Sequence, residues 1–194
     1  MTLFANAAAA MMVVTCSAAA IAEPVAFEFD HTHTEIRATW NHQGYSHPSL
    51  VLTDFDGTLE LDLEEPTNSQ VDITFNLVDG IWAGARNDRF LEHLLSPDLF
   101  NVAEHPTARF VATGFSTEDG QTGTMTGELS LLDETREVSL WVELLKVGED
   151  REGRTKLGLT ANTTITRSEW GMDYAVPAVS DWIGITINAE LVAR

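Results

Sequence analysis

The sequence predicts an all-β chain, an antiparallel barrel of about eight strands carrying one short helix. Three observations predict it: strand-length runs alternate apolar with polar residues, turn residues punctuate them, and helical spacing occurs in one place. Ile36, Ala38 and Trp40 alternate with Arg37, Thr39 and Asn41, which buries one face of a first strand. Leu59, Leu61 and Leu63 repeat the pattern against Glu60, Asp62 and Glu64, as do Val71, Ile73, Phe75 and Leu77 against Asp72, Thr74 and Asn76. Runs at 108–113, 125–132, 138–147, 156–166 and 182–192 complete the set. Asp56-Gly57, Asp119-Gly120 and Glu152-Gly153 are turn signals between them. Closing such a sheet removes its vulnerable edges. The exception is 87–95, where Phe90, Leu91, Leu94 and Leu95 have helical spacing ahead of Ser96-Pro97, predicting a short helix across one barrel end.

A chain of 194 residues, 44% of them hydrophobic, is long enough for one domain with a substantial core. Its 30 acidic and 11 basic residues give a net charge of −19, which repels nucleic acid and anionic membrane surfaces. Residues 1–22 contain no Asp, Glu, Lys or Arg, and Ala20-Ile21-Ala22 supplies a small-x-small processing site before Glu23. The segment reads as a signal peptide, leaving residues 23–194 as one exported domain. An n-region without Lys or Arg keeps a membrane anchor as the competing reading. Cys16, the only cysteine, lies inside this segment, so the mature chain has no thiol for a disulfide, a thiolate metal site or cysteine catalysis.

His31 and His33, beside Asp30, could share a metal if both faced one side of a strand, but a third ligand from His42, His47, His93 or His105 would have to arrive through the fold. No metal site is expected. Glu64-Glu65 and Glu149-Asp150 read as solvated turns, and there is no phosphate-binding glycine loop, nucleophile elbow or zinc-protease helix. No catalytic residue is expected either. Apolar alternation by itself leaves two readings open, a filled core and a ligand-holding interior.

The joint order of several motifs resembles the YceI-like family of secreted, lipocalin-like, polyisoprenoid-binding proteins. The resemblance covers Phe27 to Val192. It begins with Asp30, His33 and Thr34, continues through Ile36, Ala38, Trp40 and His42-Gln43-Gly44, and is followed by Asp56-Gly57-Thr58-Leu59. The segment from His93 to Val102, with His105-Pro106-Thr107 and Phe110, is similar to the family's helix-to-strand signature. Thr163 to Met172, containing Arg167-Ser168-Glu169-Trp170-Gly171, is similar to its terminal motif. The chain departs from the pattern at Leu132-Asp133-Glu134, where a Leu-His-Gly turn is usual, and at Ala38, where a phenylalanine is typical.

The resemblance implies a periplasmic, non-catalytic barrel that holds an isoprenoid, either a polyprenyl lipid or an isoprenoid quinone, as its ligand and has no other cofactor. The strongly negative potential favours a neutral head group unless Arg86 and Arg89 converge at the mouth. Residues expected to line the interior are Ile36, Ala38, Trp40, Phe75, Phe110, Leu129, Trp141, Leu159 and Ile185, with His42 and Arg167 as candidate head-group contacts. For Arg167, hydrogen bonding to nearby carbonyls is the competing role. A homodimer or a membrane redox partner is compatible with the same fold, and a non-catalytic interaction protein is the alternative function.

Overall fold

The computed structural model describes residues 23–84 and 88–194. The segment 1–22 read as a signal peptide, together with Arg86 and Asn87, lies outside the described residues. Eleven strands form a single antiparallel sheet: β1 (Val25–Phe29), β2 (Glu35–Thr39), β3 (Ser49–Leu52), β4 (Phe55–Leu61), β5 (Gln70–Asn76), β6 (Ile81–Trp82), β7 (Thr107–Thr117), β8 (Thr122–Leu131), β9 (Glu134–Glu149), β10 (Thr155–Thr166) and β11 (Trp182–Ala193). The helix α1 (Asp88–Leu95) stands between β6 and β7, over the residues whose spacing predicts it.

These strands form eight staves. Both β1 and β2 pair with β11, Phe29 opposite Leu191 and Glu35 opposite Asn188. They are therefore one stave, interrupted where residues 30–34 stand opposite residues 189–190 alone. The second stave is β3 with β4 and the third is β5 with β6, since β4 pairs with β5 and β3 with β6. The order then runs through β7, β8, β9 and β10 to β11, whose pairing with β1 closes the ring. This is the closed eight-stranded barrel with one helix that the alternation predicts.

Two of the interruptions also change which residues face inward. Phe27 and Phe29 pack inside on β1, but after the excursion at 30–34 the inward set becomes Ile36 and Ala38, with Trp40 just beyond β2. Residues Leu50 and Leu52 give way in the same manner to Phe55, Leu59 and Leu61. A residue slip between Ala112 and Gly114 of β7 likewise hands the inner face from Phe110 to Phe115. Such local excursions are how a strongly twisted sheet bends into a closed wall.

Two sequence expectations need correction. Asp56-Gly57 is not a turn: it lies within β4, where Gly57 stands so close to β5 that a Cβ would fall 1.9 Å from the Asp72 carbonyl oxygen. Leu63 lies beyond the end of β4, because Asp62 turns the chain by accepting bonds from the Glu64 and Glu65 amides. The other two glycine signals do mark turns, Gly120 and Gly153 having φ of 69° and 79° in the β7–β8 and β9–β10 hairpins.

Gly127 has a different role. It faces inward on β8, and the Phe110 ring occupies the space its side chain would take, 2.4 Å from an ideal Cβ. Gly127→Ala is therefore expected to destabilise the barrel by about 1–3 kcal/mol through overpacking, read as a lower denaturation midpoint with unchanged m-value.

Candidate functional site

The inward residues of the staves do not meet at the barrel axis. They enclose a cavity of about 690 Å3, within the range of sites that bury a small ligand. One half of its wall is built by the cluster that includes Ile36, Leu59, Val71, Ile73, Phe110, Leu140 and Leu157. The other half is closed by α1, whose Phe90 and Leu94 face the cavity with Trp40, Leu99 and Phe100. The rings of Trp40 and Phe90 lie 5.9 Å apart. Small side chains at Ala161 and Ala189, on neighbouring strands, help leave the volume unfilled.

The sequence-derived candidates separate cleanly in space. Ile36, Ala38, Trp40, Phe75, Phe110, Leu129, Leu159 and Ile185 all line this cavity, and His42 and Arg167 border it at the helix end. Trp141 does not. It pairs with Asn162 on the outer wall and is 46% exposed, while its neighbours Leu140 and Val142 face inward. Over 138–144 Val138, Leu140, Val142 and Leu144 alternate with Ser139, Trp141 and Glu143, so the alternation marks the even set as inward and Trp141 is an apolar exception on the outer face.

Polar groups are confined to the two ends of the cavity, apart from Thr163, whose hydroxyl donates to the Ser139 carbonyl. At the helix end stand His42, Gln43, His93 and Tyr174, the last two rings packed edge to face at 4.9 Å. At the far end are Asp62, Ser69, Ser116, Thr117 and Gln121. Asp62 is buried, and bonds from the Asn68 side chain and then the Glu65 and Glu64 amides hold its carboxyl below the usual range. Its charge is spent on the 62–69 turn.

Arg167 is the only Lys or Arg among the described lining residues, and it is 4% exposed. Its Nε donates to the Ser180 carbonyl at 2.9 Å, its Nη1 to Met172, and its Nη2 to Tyr174 and Val179, each at 3.0 Å. The guanidinium thus fastens the loop between β10 and β11 across the barrel end. Burial pushes its pKa down while Asp181 and Asp173 oppose that shift. A head-group contact at Arg167 would compete with these four carbonyls, so the hydrogen-bonding role is the one the geometry supports. Arg89 is exposed on α1.

His31 and His33 lie in the excursion at 30–34 rather than in a strand, so they do not face one side as a ligand pair. His31 packs against Phe55 at 5.1 Å between ring centres. His33 Nδ1 lies 2.8 Å from Asp30 and 3.7 Å from Glu190, and these three groups could hold a cation. The Lys156 ammonium already occupies that role, 2.6 Å from Glu190 and 3.2 Å from Asp30. The cluster pins the excursion of the first stave to β10 and β11.

An antiparallel eight-stranded barrel with an apolar interior and polar ends defines a protein built to surround an elongated apolar guest or to present a hollow wall. Residues 27–191 match the YceI-like domain, and the chain belongs to that family. It is 29% identical to a UPF0312 protein of Pectobacterium atrosepticum over 185 residues, 95% of this chain and 94% of that one. Its fold is similar to that of Burkholderia cenocepacia BcnA, with a TM-score of 0.74 at 16% identity, covering 84% of this chain and 98% of that one. It is also similar to a polyisoprenoid binding domain from Saccharophagus degradans implicated in plant cell wall breakdown. That TM-score is 0.66 at 8% identity, covering 88% of this chain and 99% of that one.

Several wall residues escape the sequence reading, among them Phe29, Leu140, Val142, Leu157 and Leu191. For Leu157 and Leu191 the signal was present, since they share the alternation that selects Leu159 and Ile185.

Two outcomes follow. Arg167→Ala orphans four carbonyls and is expected to cost about 3 kcal/mol or more in chemical denaturation, with Arg167→Lys recovering only part of it. The Asp30 carboxyl is held well below the usual range, first by His33, then by Thr32 and Lys156, and Lys156 is raised by Glu190 and Asp30. A depressed carboxylate contributes stability above its unfolded pKa of about 4 and loses it as pH falls toward the folded value. The stability difference between wild type and Asp30→Asn is therefore expected to shrink as pH falls below about 4.

Proposed function

We propose that this protein is a non-catalytic periplasmic carrier that holds an isoprenoid lipid with a neutral head group, such as an isoprenoid quinone, inside its barrel. The observation that carries the reading is the interior itself: an apolar cavity in which Arg167, the one Lys or Arg among the described lining residues, is committed to backbone carbonyls. A wall of this kind offers dispersion and hydrophobic contact along its length and no hydrogen-bonding pattern to select anything but hydrocarbon. Each buried CH2 contributes about 0.8 kcal/mol, so a tail of several isoprene units outweighs its ordering cost. The similar Saccharophagus domain, a polyisoprenoid binder by description, supports the same guest.

The head group would meet His42, Gln43, His93 or Tyr174 at the helix end, or the hydroxyls and Gln121 at the other. Neither set includes an uncommitted Lys or Arg among the described residues, and the chain carries −19 overall. A pyrophosphate head is disfavoured on both counts. The absence of any required cofactor, and export through residues 1–22, belong to the same reading.

Binding of a fluorescent isoprenoid quinone and of a polyprenyl pyrophosphate of equal tail length, both in detergent, tests it. The quinone is expected to bind more tightly, and Ala161→Phe, which fills the cavity, is expected to weaken it by about tenfold or more while leaving the fold intact. Tighter binding of the pyrophosphate would refute the neutral-head reading. If neither probe binds, the non-catalytic interaction protein becomes the better account.

A further inference from the structure

At the barrel end away from α1, the turns 62–69 and 118–121 border the cavity, the 150–154 turn stands at the same end, and the chain joins the barrel beside them at β1. Four aliphatic side chains stand in solvent around this opening: Val25 (46% exposed), Leu63 (42%), Leu145 (57%) and Val147 (47%). Their positions relate them to the cavity. Leu63 lines it directly. Val25 pairs with Leu61 and Val147 with Leu157, both lining residues, and antiparallel partners face the same side of a sheet. The apolar inner wall thus continues onto the rim.

On the β9 side the rim is left open by the strand register. Pairing between β8 and β9 ends at Thr122 and Glu143, whereas β9 continues to Glu149 with β10 alone. The register between β9 and β10 slips in this stretch, Leu144 standing opposite Leu159 and Lys146 opposite Gly158, so Leu145 is left without a partner. Leu145 and Val147 both lie in this part of β9, beyond its pairing with β8.

We propose that this rim is a docking surface for a neutral, zwitterionic lipid bilayer, on which the barrel seats mouth-down so that an isoprenoid passes along one continuous apolar path. The inference rests on the carrier reading above. Two further features select this occupant. An isoprenoid resides in a bilayer rather than in water, so a carrier whose apolar wall runs out to its rim at Val25, Leu63 and Val147 meets the bilayer there to take up its guest. Exposed acidic residues at the same turns, among them Glu64, Glu65, Glu118 and Glu152, repel anionic head groups and leave neutral ones accessible. The docking proposed is peripheral, through the rim side chains alone.

Flotation of the soluble protein with phosphatidylcholine vesicles free of isoprenoid tests the docking directly. Wild type is expected to float with them, and the floated fraction is expected to fall by about tenfold in Leu145→Glu/Val147→Glu and again in Leu63→Glu. Added phosphatidylglycerol is expected to reduce wild-type flotation. Trp182→Ser, which removes a side chain 48% exposed on the outer wall, is expected to float as wild type does. Circular dichroism checks that each variant is folded, and the two rim variants are independent of one another. Wild type that fails to float, or rim variants that float equally well, would overturn the proposal. Quinone binding in detergent needs no bilayer, so binding there without flotation refutes the docking and spares the carrier reading.

Discussion

Backbone hydrogen bonds from one edge of β11 reach both β1 and β2, and this shared edge closes the sheet, since β11 is also the strand that carries β10 on its other side. Antiparallel pairing fixes which residues stand opposite one another, so the first stave has to expel residues 30–34 to keep both halves in register. The expelled segment is secured by Asp30, His33, Lys156 and Glu190, a charged cluster on the outside of the barrel. Closure at this circumference leaves an interior wider than its side chains fill, and the cavity is the remainder.

The two ends of that interior are built by different means. At one, α1 and the loop fastened by Arg167 lay Phe90, Leu94 and Met172 across the barrel. A buried arginine hydrogen-bonded to four carbonyls holds this end in place, because moving the loop would leave several donors and acceptors unpaired at once. At the other, short turns and a projecting hairpin leave aliphatic side chains in solvent. A guest bound inside is therefore backed by a fixed floor and approached through an apolar rim.

The fold was largely legible in the sequence because a half-buried strand announces its face by alternation, and the long strands β8 to β11 alternate without a break on most of their length. The short segments β1, β3 and β6 were not: two to five residues show too little alternation, and the inward set moves from odd to even positions after β1 and from even to odd after β3. Phe29 was lost in this way, being out of phase with Ile36 and Ala38. Trp141 failed for another reason: it is a large apolar side chain on the polar face of β9, between Ser139 and Glu143, and its size outweighed the alternation that places it outside. Whether the interior would be empty was not legible at all, because an inward Leu or Ile reads the same in a packed core and in a cavity wall. Here the resemblance of Asp30-x-x-His33, His42-x-Gly44 and Arg167-Ser168-x-Trp170-Gly171 to one family carried what alternation could not.

The central claim is that the cavity is occupied in the cell by a single long isoprenoid. Mass spectrometry of the organic extract from protein purified out of its native compartment, against a denatured control, tests it most directly. The account predicts one isoprenoid with a neutral head group at close to one per barrel. A clean, lipid-free protein, or one carrying mixed phospholipid in no fixed ratio, would contradict it.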